Sequence, residues 1–396
     1  MEIDVPRTRA ETEGVNHGIH LNAAGSALMP RCVVDAQIRH IHDEAAHGGY
    51  EACQHAETQI ARTYAALGEL LNCAPEQIAL SDSATTSWQR IVRAFAWQPG
   101  DRILTGQAEY VSNYITFLQL ARHQGVEIVV VPDDSFGQID VDRLDSLIDS
   151  RTRLVALTHV PTNGGLVNPA AEVGTVTRAK GVPYLLDACQ SAGQLALDVQ
   201  AIGCDFLSAT GRKYLRGPRG TGFLYIHPDW IDRLEPASLD IRSATWSARD
   251  AYTPSPGARK FETFEFNYAA VIGLGTAVDY ALSWGMPAIQ GRIGWLASTL
   301  RRRLERIPGV TIRDLGRETC GICTFTLEGQ TAQAVKTALA DAQIQVTVSE
   351  RASTRLDMDQ RELDAVVRAS VHYYNTEDEL DRLCAAITEL APAPAA

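Results

Sequence analysis

The sequence predicts an α/β protein whose larger part is a doubly wound, mostly parallel sheet and whose smaller part is an α+β unit. Short, continuously apolar runs lie at residues 102–105, 127–132, 154–158 and 183–187. Continuous apolarity indicates that both faces of a strand are buried, which is typical of a parallel sheet covered by helices. Stretches with a helical pattern lie between these runs, at 113–124, 141–150 and 170–180. This alternation is typical of βαβ units.

The pattern changes after residue 285, where a second unit is predicted. Its predicted helices lie at 294–306, 331–342 and 377–389, and its strands near 310–313, 322–327 and 344–348. The residues at 344–348 alternate, which is typical of a half-exposed strand. We expect Arg301, Arg302 and Arg303 on a solvated helix face, and a frayed tail at 391–396. We therefore predict a large domain over 21–285 and a small domain formed by 1–20 and 286–396.

Composition excludes several classes of protein. The 396 residues are too many for one compact core. The formal net charge of −12 argues against nucleic acid or an anionic membrane as the main partner. No apolar run approaches the roughly 18–20 residues of a membrane helix, and the first residues lack the apolar stretch of a signal peptide. We expect a cytoplasmic protein.

The cysteines and histidines give no indication of a metal site. Eight scattered cysteines in a chain without a secretory signal argue against a disulfide framework. Cys320 and Cys323 form a CxxC that lacks a second CxxC or a histidine pair at zinc-like spacing, so we expect both to be buried. The ten histidines form no HExxH or similar motif. We expect no metal.

Two residues in the middle of the chain suggest a specific chemistry. Asp187 ends a predicted strand, and ligands of open α/β sheets bind at the carboxyl ends of strands. Lys213 follows the next apolar run and precedes a glycine-rich turn. A lysine in a dry cleft loses its proton readily and attacks carbonyl groups. An acid for a pyridinium nitrogen and a lysine for an aldehyde are the two groups that pyridoxal 5'-phosphate (PLP) requires.

Several motifs extend this pattern along nearly the whole chain. Asp187-Ala-x-Gln-Ser-x-Gly is followed by a strand and then by Thr210-Gly-x-Lys with Gly-Pro-x-Gly-x-Gly. In this order the motifs resemble the class V aminotransferase and cysteine desulfurase family of fold-type I PLP-dependent enzymes. The resemblance begins at His20-Leu-Asn-Ala-Ala-Gly and ends at Val367-Arg-Ala-Ser with Tyr374-Asn-Thr.

The resemblance implies roles for the residues around the cofactor ring. Lys213 matches the Schiff-base lysine, Asp187 the partner of the pyridine nitrogen, and Gln190 the residue that bonds the phenolic oxygen. Tyr110 stands where many relatives stack a histidine on the ring, so it keeps a stacking face without an acid or base. Asn163 lies in a loop that the family places near the phenolic oxygen. The alignment with the family is uncertain by one residue in this loop, so Thr162 is the alternative for the same role.

The resemblance also implies residues for the phosphate and for the substrate. Ala84, Thr85 and Thr86 open a helical stretch at 87–95 and match the family's phosphate turn, consistent with anion binding at a helix N-terminus. Thr210 and Arg212 fill two further phosphate positions before the lysine. Arg368 matches the arginine that binds the substrate carboxylate, and Asn22 is also assigned to the substrate.

Two departures from the family's pattern bear on function. Cysteine desulfurases carry a nucleophilic cysteine in a small-domain loop, and the corresponding residues here, 345–358, contain no cysteine. Residues 261–275 match the segment in which relatives offer a threonine to the phosphate across a dimer, but Glu265 stands at that position. We expect Glu265 to point elsewhere, towards Arg212 or Arg259. The segment implies a homodimer with sites at the interface.

These observations favour a C–S lyase that catalyses β-elimination on a cysteine S-conjugate or related amino acid through Lys213. A class V aminotransferase, a decarboxylating deaminase or an amino-acid epimerase remain alternatives, because all share the first steps of PLP chemistry. The intact set of Lys213, Asp187, Gln190 and Arg368 disfavours a non-catalytic binding protein. The expected partner is a small amino acid, with neither nucleic acid nor membrane involved.

Overall fold

The computed structural model describes residues 2–392. Its helices are, in chain order, α1 (Val5–Ala10), α2 (Ala23–Ser26), α3 (Arg31–His47), α4 (Gly49–His55), α5 (Glu57–Leu71), α6 (Ala84–Val92), α7 (Val111–Gln124), α8 (Val141–Leu147), α9 (Ala170–Lys180), α10 (Val199–Ile202), α11 (Pro228–Ile231), α12 (Tyr268–Trp284), α13 (Met286–Leu304), α14 (Ala332–Asp341), α15 (Arg355–Gln360) and α16 (Glu377–Leu390). Its strands are β1 (Ile19–His20), β2 (Ile78–Ser81), β3 (Arg102–Thr105), β4 (Glu127–Val130), β5 (Thr152–Thr158), β6 (Tyr184–Asp187), β7 (Phe206–Thr210), β8 (Gly222–Ile226), β9 (Ala244–Ala248), β10 (Ala251–Pro254), β11 (Val310–Ile312), β12 (Ile322–Leu327), β13 (Ile344–Gln345), β14 (Thr347–Glu350) and β15 (Ala365–Ser370).

The larger sheet has seven strands in the order β2-β8-β7-β6-β5-β3-β4. Only β8 runs against its neighbours, since it pairs antiparallel with both β2 and β7 while the other pairs are parallel. Every residue of β6 is buried, as its continuously apolar run predicts. The prediction is wrong for β4, which lies at the edge of the sheet, so that Glu127 is exposed and the other residues are only partly buried. The predicted α/β class with a mostly parallel large sheet is confirmed.

Four neighbouring parallel strands end on buried polar residues. Thr105, Thr158, Asp187 and Thr210 are the last residues of β3, β5, β6 and β7, and each is almost fully inaccessible. Because these strands are parallel and adjacent, their carboxyl ends lie along one edge of the sheet. This edge collects polar groups from distant parts of the chain, and it is where the candidate site lies.

The C-terminal part of the chain forms a second, antiparallel sheet in the order β11-β12-β15-β14. Helix α14 packs against β14 and β15, and α16 packs against α13 and α14. Strand β1 pairs in parallel with β13, so the N-terminal arm is hydrogen-bonded to the C-terminal unit. The exact residues at which the chain divides into two domains stay a prediction.

The structure corrects three further details of the sequence analysis. The run at 344–348 is two strands, because β13 pairs with β1 and β14 pairs with β15. The helix predicted at 294–306 begins earlier, at Met286. Arg301 is not solvated: its side chain pairs with Asp314 at 2.7 Å and donates to the carbonyl oxygen of Cys320 at 2.9 Å.

Cys320 and Cys323 are both buried, as expected. Residues 393–396 of the predicted tail lie outside the described residues. Across residues 2–392, no helix has both the length and the apolar character that crossing a bilayer requires.

Candidate active site

Lys213 is held in a tight turn directly after β7. The turn is closed by hydrogen bonds from the Gly217 N–H to the Gly211 carbonyl and from the Arg216 N–H to the Lys213 carbonyl. The Lys213 residue is 9% exposed, and its Nζ lies 5.9 Å from the centroid of the Tyr110 ring. Burial lowers the pKa of the Lys213 amine. In residues 2–392 no carboxylate lies within 4.0 Å of its Nζ, so the amine is available as a nucleophile.

Asp187 is anchored through both carboxylate oxygens by neutral donors. Oδ1 accepts from the Cys189 N–H at 2.8 Å, and Oδ2 accepts from Nδ2 of Asn113 at 2.9 Å. The residue is 5% exposed. An ionised carboxylate in such a place needs a positively charged partner. The described part of the chain supplies no ion pair to it, and a protonated ring nitrogen would.

Thr162 links two of the predicted site residues. Its Oγ1 lies 3.3 Å from Nε2 of Gln190 and accepts from Nη1 of Arg368 at 2.6 Å. The side chain of Asn163 instead donates to the carboxylate of Asp357, away from this cluster. The geometry therefore favours Thr162 over Asn163 as the residue of this loop that belongs to the site.

The two residues of this loop give a direct test. We expect Thr162→Ala to lower PLP affinity up to about tenfold, because Thr162 holds Nε2 of Gln190, the residue predicted to bond the phenolic oxygen, and such a hydrogen bond is typically worth about 0.5–1.5 kcal/mol. Asn163→Ala should have a smaller effect. Titration of the cofactor-free protein with PLP measures both affinities. A larger loss for Asn163→Ala would restore the alternative alignment.

Arg368 is a buried cation to which the described residues supply no counter-ion. It lies on β15, is 7% exposed, and its Nη2 lies 3.5 Å from Oδ1 of Asn22. Burial lowers the pKa of Arg368 to about 10, so the guanidinium stays charged at neutral pH. Within residues 2–392 its Nε has no hydrogen-bond partner, and no carboxylate pairs with it. A buried charge without a partner is costly, which fits a guanidinium that receives a substrate carboxylate.

The residues predicted for the phosphate lie around the N-terminus of α6. Ser83 caps this helix by accepting from the Thr86 N–H at 3.2 Å. The first turn approaches β8 so closely that a Cβ at Gly222 would overlap the backbone of Ser83. The first-turn N–H groups of Ala84 and Thr85 have no acceptor inside the helix. They are therefore the donors available to a phosphate.

The side chains predicted to assist these amides have protein partners. The Thr86 hydroxyl donates to the Asp82 carboxylate, and the Thr210 hydroxyl donates to the Thr221 carbonyl at 2.9 Å. Arg212 donates to the carbonyl oxygen of Gly25. The roles of Thr86, Thr210 and Arg212 towards the phosphate stay predictions.

Glu265 does not have the partner that the sequence led us to expect. It is exposed, and among the described residues it pairs with neither Arg212 nor Arg259. Arg259 lies over the Tyr64 ring, 4.2 Å from its centroid. The buried acid of this segment is Glu262, which pairs with Arg242 at 2.9 Å.

Two polar residues of the site were missed by the sequence analysis. Glu109 accepts a hydrogen bond from Asn113 at 2.9 Å, and Asn113 in turn bonds Asp187. The signal was available: Glu109 directly precedes Tyr110 at the carboxyl end of a buried strand, and Asn113 follows one helical turn later. Polar residues at such an edge are candidates for a site.

The structure brings together one group of potential metal ligands that the sequence spacing did not reveal. The carboxylate oxygens of Asp43 lie 2.8 Å from Nδ1 of His47 and 3.1 Å from Nδ1 of His55. One potential ligand atom from each of the three residues lies within 4.8 Å of the other two. Both histidines are more than half exposed. The group lies on α3 and α4 and contains none of the predicted site residues.

Comparison with known proteins identifies the family. The profile of the aminotransferase class-V family matches residues 19–383. The chain belongs to the class V aminotransferase family. The matched span contains every predicted site residue, from Asn22 to Arg368.

Curated relatives with similar sequences include cysteine desulfurases. The chain is 29% identical over 379 residues to a probable cysteine desulfurase of Methanothermobacter thermautotrophicus, covering 94% of each chain. It is 31% identical over 381 residues to the cysteine desulfurase of Cronobacter sakazakii, covering 94% of this chain and 93% of the relative.

Solved class V structures show the same fold. The apo cysteine desulfurase of Thermococcus onnurineus NA1 superposes with a TM-score of 0.92 at 24% identity, covering 99% of this chain and 98% of that one. The cystine C–S lyase C-DES, solved with its reaction product cysteine persulfide, superposes with a TM-score of 0.86 at 26% identity, covering 96% and 99%.

The cofactor of this class V enzyme is PLP. A C-DES variant carries glycine covalently linked to PLP. The residues present here fit that group: Oε1 of Gln190 and Nε of Arg368 are buried without partners in the described chain, and Lys213 offers a buried amine. The predicted family and cofactor are confirmed.

Proposed function

We propose that the protein is a C–S lyase that eliminates the sulfur substituent from Cβ of a cysteine S-conjugate or a related amino acid. The observation that carries the proposal is the missing thiol in the segment where desulfurases of the family carry their nucleophilic cysteine. No cysteine occurs between Cys323 and Cys384. Without that thiol, the enzyme has no acceptor for a persulfide.

The segment without the thiol, at 345–358, is held beside the site by hydrogen bonds and an ion pair. Asp357, on α15, is 5% exposed and accepts from the side chain of Asn163. The same carboxylate pairs with Arg361 at 3.3 Å. Gln360 accepts from Gln107 of the large-sheet unit. A desulfurase loop must deliver its cysteine to the substrate, whereas these contacts hold the segment against the rim of the site.

A solved relative also cleaves a C–S bond. The cystine C–S lyase C-DES has cysteine persulfide as its reaction product, so the second sulfur is part of that product. The same outcome here would explain why the segment at 345–358 needs no thiol.

The site residues divide the work of elimination among them. Bound PLP withdraws electrons from Cα of the amino acid. Arg368 binds the carboxylate of the substrate and so fixes its orientation. The amine of Lys213 accepts the Cα proton as general base. Asp187 keeps a proton on the ring nitrogen. The Cβ–S bond then breaks with its electron pair moving to sulfur, and hydrolysis of the three-carbon fragment gives pyruvate and ammonia.

Product analysis with a panel of cysteine S-conjugates and cystine tests the proposal. Elimination predicts pyruvate, ammonia and a free thiol or persulfide in equal amounts. A keto acid that retains its sulfur would show transamination, and Cα exchange of deuterium alone would show epimerisation. Alanine together with a persulfide would show a desulfurase. Each of these last three outcomes would overturn the lyase.

Cysteine independence is a second consequence of the lyase mechanism. We expect Cys189→Ala and Cys384→Ala each to keep most activity, because the leaving sulfur departs with the product. Burial raises the pKa of the Cys384 thiol to about 11 and that of Cys189 further, so neither is a ready nucleophile.

Mass spectrometry of the intact protein after turnover provides the readout for both cysteines. It should detect no added sulfur. A persulfide on Cys189 or Cys384, together with loss of activity in the matching alanine variant, would establish desulfurase chemistry instead.

We also propose that the enzyme is a homodimer. Large apolar side chains remain exposed, among them Phe264 at 41%, within the segment at 261–275, and Trp246 at 80%, on β9. Exposed aromatic side chains of this size are typical of an interface. Light scattering of the purified protein measures the assembly, and a monomer at micromolar concentration would contradict the proposal.

A further inference from the structure

Glu109 is a buried carboxylate at the point where three strands of the large sheet end. It is 4% exposed. Its Oε2 accepts from the Thr105 hydroxyl at 2.8 Å, at the end of β3, and its Oε1 accepts from the Thr158 hydroxyl, at the end of β5. Its Oε1 also accepts from the backbone N–H of Tyr110 at 2.8 Å. Glu109 therefore ties adjacent strand ends to the start of α7.

Asn113 connects this carboxylate to Asp187, at the end of β6. The Nδ2 group of Asn113 donates one hydrogen to Oε1 of Glu109 at 2.9 Å and the other to Oδ2 of Asp187 at 2.9 Å. Asn113 is 2% exposed, so water does not compete for these bonds. One amide group thus bridges two buried carboxylates.

Hydrogen bonds to Glu109 offset part, but not all, of the effect of its burial. Burial raises the pKa of Glu109, and hydrogen bonds from Thr158, Asn113 and Thr105 oppose that shift. Each of its four bonds comes from an N–H or O–H donor, as an acceptor-only carboxylate requires.

We propose that Glu109 is a positioning residue that, through Asn113, sets the orientation and the proton affinity of the Asp187–cofactor pair. Glu109 touches neither the substrate nor the cofactor in this arrangement. By accepting one hydrogen of the Asn113 amide, it fixes the direction from which the other hydrogen reaches Oδ2 of Asp187. The proposal rests on PLP as cofactor and holds whichever reaction the enzyme catalyses.

Glu109→Gln and Asn113→Ala test the proposal in the PLP-loaded protein. Both should lower PLP affinity about tenfold and shift, by about one pH unit, the midpoint at which the visible absorption of the bound cofactor titrates. The other titratable and charged groups around Asp187 should respond equally in all variants: Cys189 and Lys213 face Asp187, and Arg212 lies beside both of these. The variants change none of these three neighbours, so the shift reports on Glu109.

Glu379 offers a matched control. Its carboxylate is 6% exposed and accepts from Nδ2 of Asn375, four residues earlier, at 2.8 Å, as Glu109 accepts from Asn113. It also pairs with Arg9 at 2.7 Å, far along the chain from Asp187. Glu379→Gln should lower the melting temperature while leaving the PLP titration and the absorption midpoint unchanged.

The double variant separates positioning from general destabilisation. If Glu109 acts through Asn113, then Glu109→Gln combined with Asn113→Ala should shift the midpoint no further than Asn113→Ala alone. Additive shifts would overturn the relay through the amide. A lower melting temperature for Glu109→Gln with unchanged PLP affinity and midpoint would show a purely structural role. Should Glu109→Gln fail to fold, Asn113→Ala, which places a strong helix former on α7, still carries the spectroscopic test.

Discussion

Lys213→Ala should abolish turnover, with a loss of at least about 10⁴-fold, because removal of a covalent nucleophile that also moves a proton typically has an effect of this size. In residues 2–392 no other amine lies in the cleft formed by Asp187, Gln190 and Arg368. Borohydride reduction should attach PLP irreversibly to the wild-type chain and fail to attach it to the variant. Peptide mass mapping of the reduced protein identifies the modified lysine.

Lys260 provides the control for this experiment. It is 5% exposed, and burial lowers its pKa as it does that of Lys213, but it lies outside the cleft, beside Phe261. Lys260→Ala should retain turnover and borohydride trapping at Lys213. Trapping at another lysine with normal turnover in Lys213→Ala would show that the assignment of Lys213 is wrong.

Asp187→Asn should retain part of the PLP and lower kcat by about 10²–10³-fold, which is the usual effect of removing one preorganised electrostatic group. Asparagine keeps the shape that Asn113 and Cys189 bind, but it carries no charge to hold a proton on the ring nitrogen. Steady-state kinetics at saturating PLP separate kcat from cofactor loss. Unchanged kcat under those conditions would contradict the role of Asp187.

Asp205 tests whether loss of any buried acid in this sheet produces the same result. It directly precedes β7, at the opposite edge from Asp187, and accepts from the Tyr184 N–H at 2.8 Å and from the Trp230 indole at 2.9 Å. Asp205→Asn should reduce stability, since those donors lose a charged acceptor. It should leave kcat within a few-fold of wild type, since it lies away from the carboxyl ends of the strands.

The two largest expected effects concern residues that the sequence alone identified. It could identify them because the signals for both residues lie within short stretches of the chain. Asp187 and Lys213 each follow a continuously buried strand and lie within motifs of a few residues. A strand end fixes which edge of the sheet a residue reaches, and adjacent parallel strands share that edge. Their approach to one another therefore follows from strand order, which the alternation of strands and helices already indicates.

Side chains whose partners come from distant segments were not predictable in the same way. Thr162 and Asn163 are neighbours in sequence, yet one bonds Arg368, which is 206 positions away, and the other bonds Asp357, which is 194 positions away. A shift of one residue in the loop exchanges these partners. Only the docking of β15 and α15 against the loop distinguishes them.

The sequence by itself determined the fold class, the family and the cofactor of this protein, because burial on both strand faces and the order of short motifs are properties of contiguous residues. Only the tertiary structure decided that Glu109 reaches Asp187 through Asn113 and that Arg301 is buried against Asp314. Each of these contacts joins side chains from different elements of the fold. Their energies depend on the exclusion of water by surrounding layers, which no stretch of sequence contains.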